Sequence, residues 1–361
     1  MSGAQAYHKS GPEQALHGCV LKQARGRAVT TEETCIELDN SRECTCGLLK
    51  EPMETATAEA SASRIRRAVW SDVVFLTQVS RPGLWSTTAL FYLLALGHGD
   101  FLRSWSFWVG LFYVLVPLGL VLYGINDIVD AQADRFNPRK GTFLFGSRGA
   151  PEQLAALRWQ IALAQIPFVV LFFVRIGPRI LPWLAALALA VTLYNSPRVG
   201  WKGRSPFDVL MQVSYLLVFV LSSWLNRVPQ LPWPTFVFGA MFAMHSHVFG
   251  EVMDIVPDRL SGRRTTATQI GAIRAKFLIA AFLCAESVLV YHFFADSVIT
   301  GFLAAGALWF VLDATVIWKD RAYTPPQMRL FMWAWNAAAL LGMYWNWSTA
   351  RLIRAGQRAG L

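Results

Sequence analysis

Hydrophobic and polar positions divide the chain in two. Residues 1–64 show no sustained apolar period, whereas the rest reads as long apolar runs with polar gaps between them. About nine runs stand out, with cores near 83–98, 104–125, 157–175, 179–195, 207–225, 233–250, 275–295, 298–318 and 328–347. Runs of roughly 20 apolar residues, as helices rising about 1.5 Å per residue, cross a bilayer's hydrocarbon core. Pro117, Pro167 and Pro182 fall inside runs, which membrane helices tolerate better than soluble ones. The pattern predicts an all-α, polytopic membrane protein of about nine transmembrane helices.

The gaps are unequal. Those near 99–103, 226–232 and 296–297 are short and carry little charge, while those near 126–156, 196–206 and 251–274 are long and strongly charged. Lys and Arg near the spans concentrate in the long gaps, from Arg135, Arg139 and Lys140 to Arg259, Arg263 and Arg264. The positive-inside tendency puts those loops in the cytosol, with the N-terminus beside them. An odd span count then leaves Arg351, Arg354 and Arg358 on the far side, against the same tendency.

Composition narrows the class further. The chain is 54% hydrophobic and only 16% charged, against roughly 25% charged in ordinary soluble domains. That argues against a soluble multidomain protein and against a nucleic-acid partner, and leaves the lipid bilayer as the surroundings. Thirty-three Lys and Arg against 23 Asp and Glu give a formal charge of +10, available for topology or for an anionic ligand. Residues 1–64 are expected to be a disordered polar tail, 65–350 a membrane domain and 351–361 a short basic tail. No apolar segment marks a cleavable signal peptide, while the acid-poor first thirty residues leave an organelle-targeting role open. Cys19, Cys35, Cys44, Cys46 and Cys284 suggest neither a disulfide framework nor a zinc knuckle.

The ends of the second and sixth runs carry the candidate chemistry. The first reads Asn126-Asp127-Ile128-Val129-Asp130-Ala131-Gln132-Ala133-Asp134, and the second Glu251-Val252-Met253-Asp254-Ile255-Val256-Pro257-Asp258. At an offset of 124, Asp127 falls on Glu251, Asp130 on Asp254 and Asp134 on Asp258; Arg139 falls on Arg263, Lys140 on Arg264 and Thr142 on Thr266. Spacings of i, i+3 and i+7 predict that the acids of each motif share one helical face. Such a carboxylate stack repels itself, the more so beside a membrane where screening falls. A divalent cation relieves it, and Mg²⁺ favours a few carboxylate oxygens with water and substrate phosphate. Two facing units would hold a diphosphate through metal bridges, with Arg and Lys on the remaining oxygens. A single motif is explained as well by solvated charges at a span end; two copies with matched acids and bases are not. An EF-hand is excluded by the acid spacing and the missing Gly.

These residues resemble the UbiA superfamily of intramembrane prenyltransferases, over about residues 75–347. The paired acidic motifs carry the likeness; Arg81-Pro82 and Tyr194-Asn195-Ser196-Pro197 with Lys202-Gly203 are similar to further family features. The resemblance implies nine helices around a central cavity capped by the charged cytosolic loops. It also implies Mg²⁺-dependent ionisation of a prenyl diphosphate, departure of pyrophosphate and capture of the allylic cation by an apolar or aromatic acceptor. Asp127, Asp130, Asp134, Asp254 and Asp258 are then the metal-binding catalytic residues, with Asn126 supporting them. Lys202 and Arg139 are the first diphosphate contacts, followed by Lys140, Arg198 and Arg263. Tyr194 is either a contact to phosphate or acceptor or an interface anchor. Glu251 reads as a supporting group behind the acids, and His245 and His247, facing different sides, as structural hydrogen-bonders.

The run Asn137-Pro138-Arg139-Lys140-Gly141 looks most like members that prenylate carotenoid ends, the lycopene-elongase type. Two rival functions stay open at this level. An intramembrane terpene cyclase would use the same ionisation without an acceptor, and a transporter of an anionic solute would make no covalent change. A phosphatidyl-alcohol transferase is disfavoured, because neither motif continues with the Gly and Arg of that family.

Overall fold

The computed structural model describes residues 63, 66, 69–97, 101–196 and 200–353, so the expected tail, residues 1–64, lies outside it apart from residue 63. Residues 69–79 are helical. Among the described residues nine long helices follow, matching the nine predicted runs: α1 (Trp85–Leu94), α2 (Trp105–Asp130), α3 (Pro151–Ile176), α4 (Ile180–Asn195), α5 (Phe207–Asn226), α6 (Trp233–Leu260), α7 (Ala272–Phe294), α8 (Ser297–Ile317) and α9 (Pro325–Thr349). The described residues form no strand, only isolated bridges at Thr142–Gly146 and Arg204–Arg264. Among the described residues six stretches are long and apolar enough to span a membrane, with α3 and α4 falling in a single 45-residue stretch, Pro151–Asn195. The chain is a multi-pass membrane protein.

Burial separates inner helices from outer ones. Half of the most apolar window is buried in α2, α5 and α6, against 11% in the α3–α4 stretch. Val174 and Trp159 on α3 stand 79% and 74% exposed, as expected of a face turned to lipid rather than to protein. The inner helices carry the tight contacts. Phe91 of α1 stacks on Phe219 of α5 at 4.9 Å between ring centres.

Because lipid removes the hydrophobic drive between helices, polar side chains and small residues must supply specificity. Ser222 Oγ of α5 donates to the Tyr92 carbonyl oxygen of α1 (2.6 Å), and Asn226 Nδ2 donates to the Tyr92 hydroxyl (2.9 Å). On the other side of α1, Asn336 Nδ2 of α9 donates to the Gly83 carbonyl (2.9 Å) while Trp335 Nε1 donates to Thr87 Oγ1 (2.9 Å). Lys276 of α7 and Asp313 of α8 are both fully buried and pair at 2.8 Å, and the Tyr323 hydroxyl donates to the second Asp313 oxygen. Gly119 lets α2 pass close to the chain before α1: a Cβ there would lie 3.0 Å from the Ser80 carbonyl oxygen.

Beyond α9, Arg351–Ile353 form a short 3-10 turn rather than a free end. Leu352 is buried, and its carbonyl accepts from Thr235 at the start of α6.

Candidate active site

The two acidic motifs end α2 and α6, and the intervening loops bring basic residues back over them. The local structure departs from the predicted helical stacks in the first motif. Its α-helix stops at Asp130, a turn follows, and Asp134 lies in a 3-10 turn, Ala133–Phe136. The three acids therefore share a site but not one helical face. A π-helical turn, Leu120–Gly124, immediately precedes the motif and shifts its register against α2. In the second motif α6 continues through Pro257 to Leu260, so Glu251, Asp254 and Asp258 keep helical spacing.

Asp127, Asp130, Asp134 and Asp258 are buried, Asp254 half-buried. Burying carboxylates demands partners, and each has a cation. Arg81 Nη2 donates to Asp127 Oδ1 at 3.0 Å, and Lys140 Nζ contacts Asp127 and lies 2.9 Å from Asp134 Oδ2. Lys202 Nζ pairs with Asp130 and donates to Asn126 Oδ1 at 3.1 Å. Arg263 Nη2 meets Asp130 Oδ2 at 2.6 Å, while its Nη1 lies 3.5 Å from Asp258 Oδ1. Arg139 grips Asp254 with two nitrogens, Nε to Oδ1 at 2.9 Å and Nη2 to Oδ2, and Asn137 Nδ2 adds 3.0 Å to Oδ1.

The pairing is crossed. Arg139 follows the first motif and holds Asp254 of the second; its counterpart Arg263 follows the second and holds Asp130 of the first. Since Asp130 and Asp254 are themselves counterparts, the two units exchange arginines reciprocally. Two independent span ends would give no reason for this exchange. The motifs form one site.

Both charge signs are strained by the low solvation. Burial pushes the Asp134 carboxyl above the ordinary carboxylate range although Lys140 pulls it down. Burial likewise lowers Lys202 below the ordinary lysine value, against the pull of Asp130.

The site opens into a cavity of about 290 Å³ that changes character with depth. Asp130, Asp254 and Lys202 line its charged end, and Phe91, Phe249, Phe331 and Trp335 line the apolar remainder. Tyr194 also lines it, its ring edge-on to His247 at 6.2 Å. Tyr194 thus sits in the cavity wall.

Arg198, expected near the diphosphate, lies outside the described residues. Glu251 does not join the acid cluster. Its Oε2 accepts from the Ala267 amide at 3.0 Å, and its Oε1 lies 3.1 Å from His247 Nε2. His245 turns away and meets Glu286 of α7 at 2.7 Å. Three contributors were not assigned from the sequence. Arg81 sits in the left-handed region (φ 55°, ψ 75°) before Pro82 and reaches Asp127, a strained backbone held at a functional site. Asn137 braces Asp254. Asp208, wholly buried, accepts from the Thr266 amide (2.5 Å) and hydroxyl (2.7 Å) and so pins the loop that carries Arg263.

The sequence model of the UbiA prenyltransferase family matches residues 83–353. A Corynebacterium glutamicum protein named lycopene elongase/hydratase is 30% identical over 270 residues, covering 70% of this chain and 90% of that one. A Haloferax volcanii protein of the same name is 31% identical over 214 residues, covering 58% and 69%. Among solved structures, a UbiA homolog from Archaeoglobus fulgidus bound to DMAPP and Mg²⁺ superimposes with a TM-score of 0.55 at 17% identity, over 76% of this chain and 99% of that one. The same homolog bound to GPP and Mg²⁺ gives 0.52. At that identity the likeness establishes the fold.

Proposed function

The chain belongs to the UbiA prenyltransferase family, and from that premise we propose that this intramembrane prenyltransferase extends the end of an apolar polyene of the lycopene type, using a prenyl diphosphate. The crossed pairing of Arg139 with Asp254 and Arg263 with Asp130 carries the reading, because it makes one anion-binding mouth from two acidic motifs. The relatives named lycopene elongase/hydratase support the acceptor class.

The side chains fit a hard divalent cation by donor chemistry. Carboxylate oxygens converge from two segments, and Asp127 Oδ2 is buried without a hydrogen-bond partner. As the side chains stand, the bases hold the acids apart, and among the described residues no group of three or more His, Cys, Asp or Glu is gathered closely enough for a metal. Asp127, Asp130, Asp134, Asp254 and Asp258 would hold Mg²⁺. When bound, it supplies a Lewis acid that takes up charge developing on the leaving pyrophosphate.

The chain's own cations do the rest. Arg139, Lys140, Lys202 and Arg263 now neutralise the acids, and they turn to phosphate oxygens when the carboxylates take a metal. Preorganised cations matter most where charge accumulates, on the leaving oxygens rather than on the bound substrate. The aromatic wall around Phe91, Phe249 and Trp335 keeps water from the allylic cation and offers it ring faces. The membrane domain is taken as residues 65–350, with the charged mouth and N-terminus in the cytosol, as the basic loops favour.

The test offers purified full-length protein dimethylallyl diphosphate and lycopene with Mg²⁺, and follows products by mass spectrometry. Elongated carotenoid formed in step with pyrophosphate is expected. Products from the diphosphate alone would move the assignment to a cyclase, and absence of any covalent product would remove the enzyme reading.

A further inference from the structure

Prenyl transfer to an alkene leaves a proton to be placed, and the structure offers a place for it. We propose that His247, backed by Glu251, accepts the proton released when the coupled carbocation is quenched; the inference rests on the prenyl-transfer reading above. His247 lies seven residues before Asp254 on α6, roughly 10 Å along the axis. That is deeper than the diphosphate mouth and on the same cavity wall. Its side chain is 22% exposed and Glu251 beneath it 5%. His247 Nε2 lies 3.1 Å from Glu251 Oε1, within ion-pair distance one helical turn along α6.

The surroundings prepare the pair. Glu251 is held by the Ala267 amide, and beside it Asp208 is held by Thr266, so the carboxylate behind the ring is fixed from the short helix Thr266–Ile270. A carboxylate at Nε2 favours the tautomer with its hydrogen there and stabilises the imidazolium that forms, leaving the Nδ1 lone pair as the acceptor. Tyr194 stands edge-on to the imidazole and Trp335 lines the same cavity. His245, two residues earlier, is spent on Glu286 and does not line the cavity.

The step balances without a further reagent. The allylic C–O bond breaks with its electron pair going to pyrophosphate, and the acceptor's π pair forms the new C–C bond. The neighbouring C–H pair then closes a new double bond as its proton passes to His247, which returns it to water as products leave. Nothing is oxidised or reduced.

The test separates ionisation from quenching. Full-length His247→Gln, His247→Asn and Glu251→Gln proteins are given dimethylallyl diphosphate, lycopene and Mg²⁺, with pyrophosphate and products measured together. Pyrophosphate release within about threefold of the parent is expected. The elongated alkene formed per pyrophosphate should fall at least tenfold, and prenyl alcohol or a hydroxylated adduct carrying oxygen from solvent should rise. A parallel fall of pyrophosphate and alkene in all three variants, or an unchanged ratio, overturns the proposal. A parent protein that releases no pyrophosphate fails the prenyl-transfer reading instead.

Discussion

Arg263 reaches Asp130 with one nitrogen and Asp258 with another, so its fork joins both motifs. Lysine offers a point charge that cannot span the two acids. Arg263→Lys should therefore raise the KM for the prenyl diphosphate about tenfold, with a smaller effect on kcat, in steady-state assays of pyrophosphate release. Asp208→Asn should act differently. It leaves the mouth's charges intact but loses charge-assisted hydrogen bonds to Thr266, costing about 1.5–3 kcal/mol; a lowered melting temperature in detergent checks this. The acids at 127, 130, 134, 254 and 258 were legible because a repeat betrays itself at a fixed offset. The contacts of Arg81, Asn137 and Asp208 were not, because each acts across the chain, Arg81 on Asp127 and Asp208 on Thr266. Nothing in the local pattern records such a pairing. The repeat also misleads where its copies diverge: Thr142 is exposed and donates to the Arg139 carbonyl, while its counterpart Thr266 is buried against Asp208.

At the scale of elements, run length located the nine long helices of the described residues, since bilayer thickness fixes how long an apolar segment must be. It did not locate their interruptions. The π turns at Leu120–Gly124 and Asp313–Ile317 read in the sequence as ordinary apolar helix. The first leads into the acidic motif, and the second begins at the buried Asp313. The charged residues within apolar runs were likewise visible as residues, but their pairing was not. Lys276 with Asp313 fastens α7 to α8, and His245 with Glu286 fastens α6 to α7. Removing one member of a buried pair strands the other, so Lys276→Met should destabilise by about 3–5 kcal/mol. Lys276→Met combined with Asp313→Leu should recover a large part of that loss, as read from thermal unfolding of the detergent-solubilised protein. Similar stability of the single and double variants would show that the ion pair does not hold the helices.

For the whole molecule, the positive surplus has a definite position. Arg81, Arg139, Lys140, Lys202 and Arg263 meet five carboxylates at one end of an otherwise apolar cavity. Low overall charge suits a chain turned to lipid, and concentration of what remains suits a diphosphate. The α2 and α6 ends contribute halves of a single site. A double-mutant cycle on Mg²⁺-dependent pyrophosphate release tests it with Asp130→Asn, Asp254→Asn and the pair. Residues that act as a unit are strongly non-additive, and loss of one preorganised group costs about 10²–10³ in rate. Each single variant should fall by at least about 100-fold, and the double variant should fall little further. Substantial activity in either single variant, or losses that multiply in the double, would contradict a shared site.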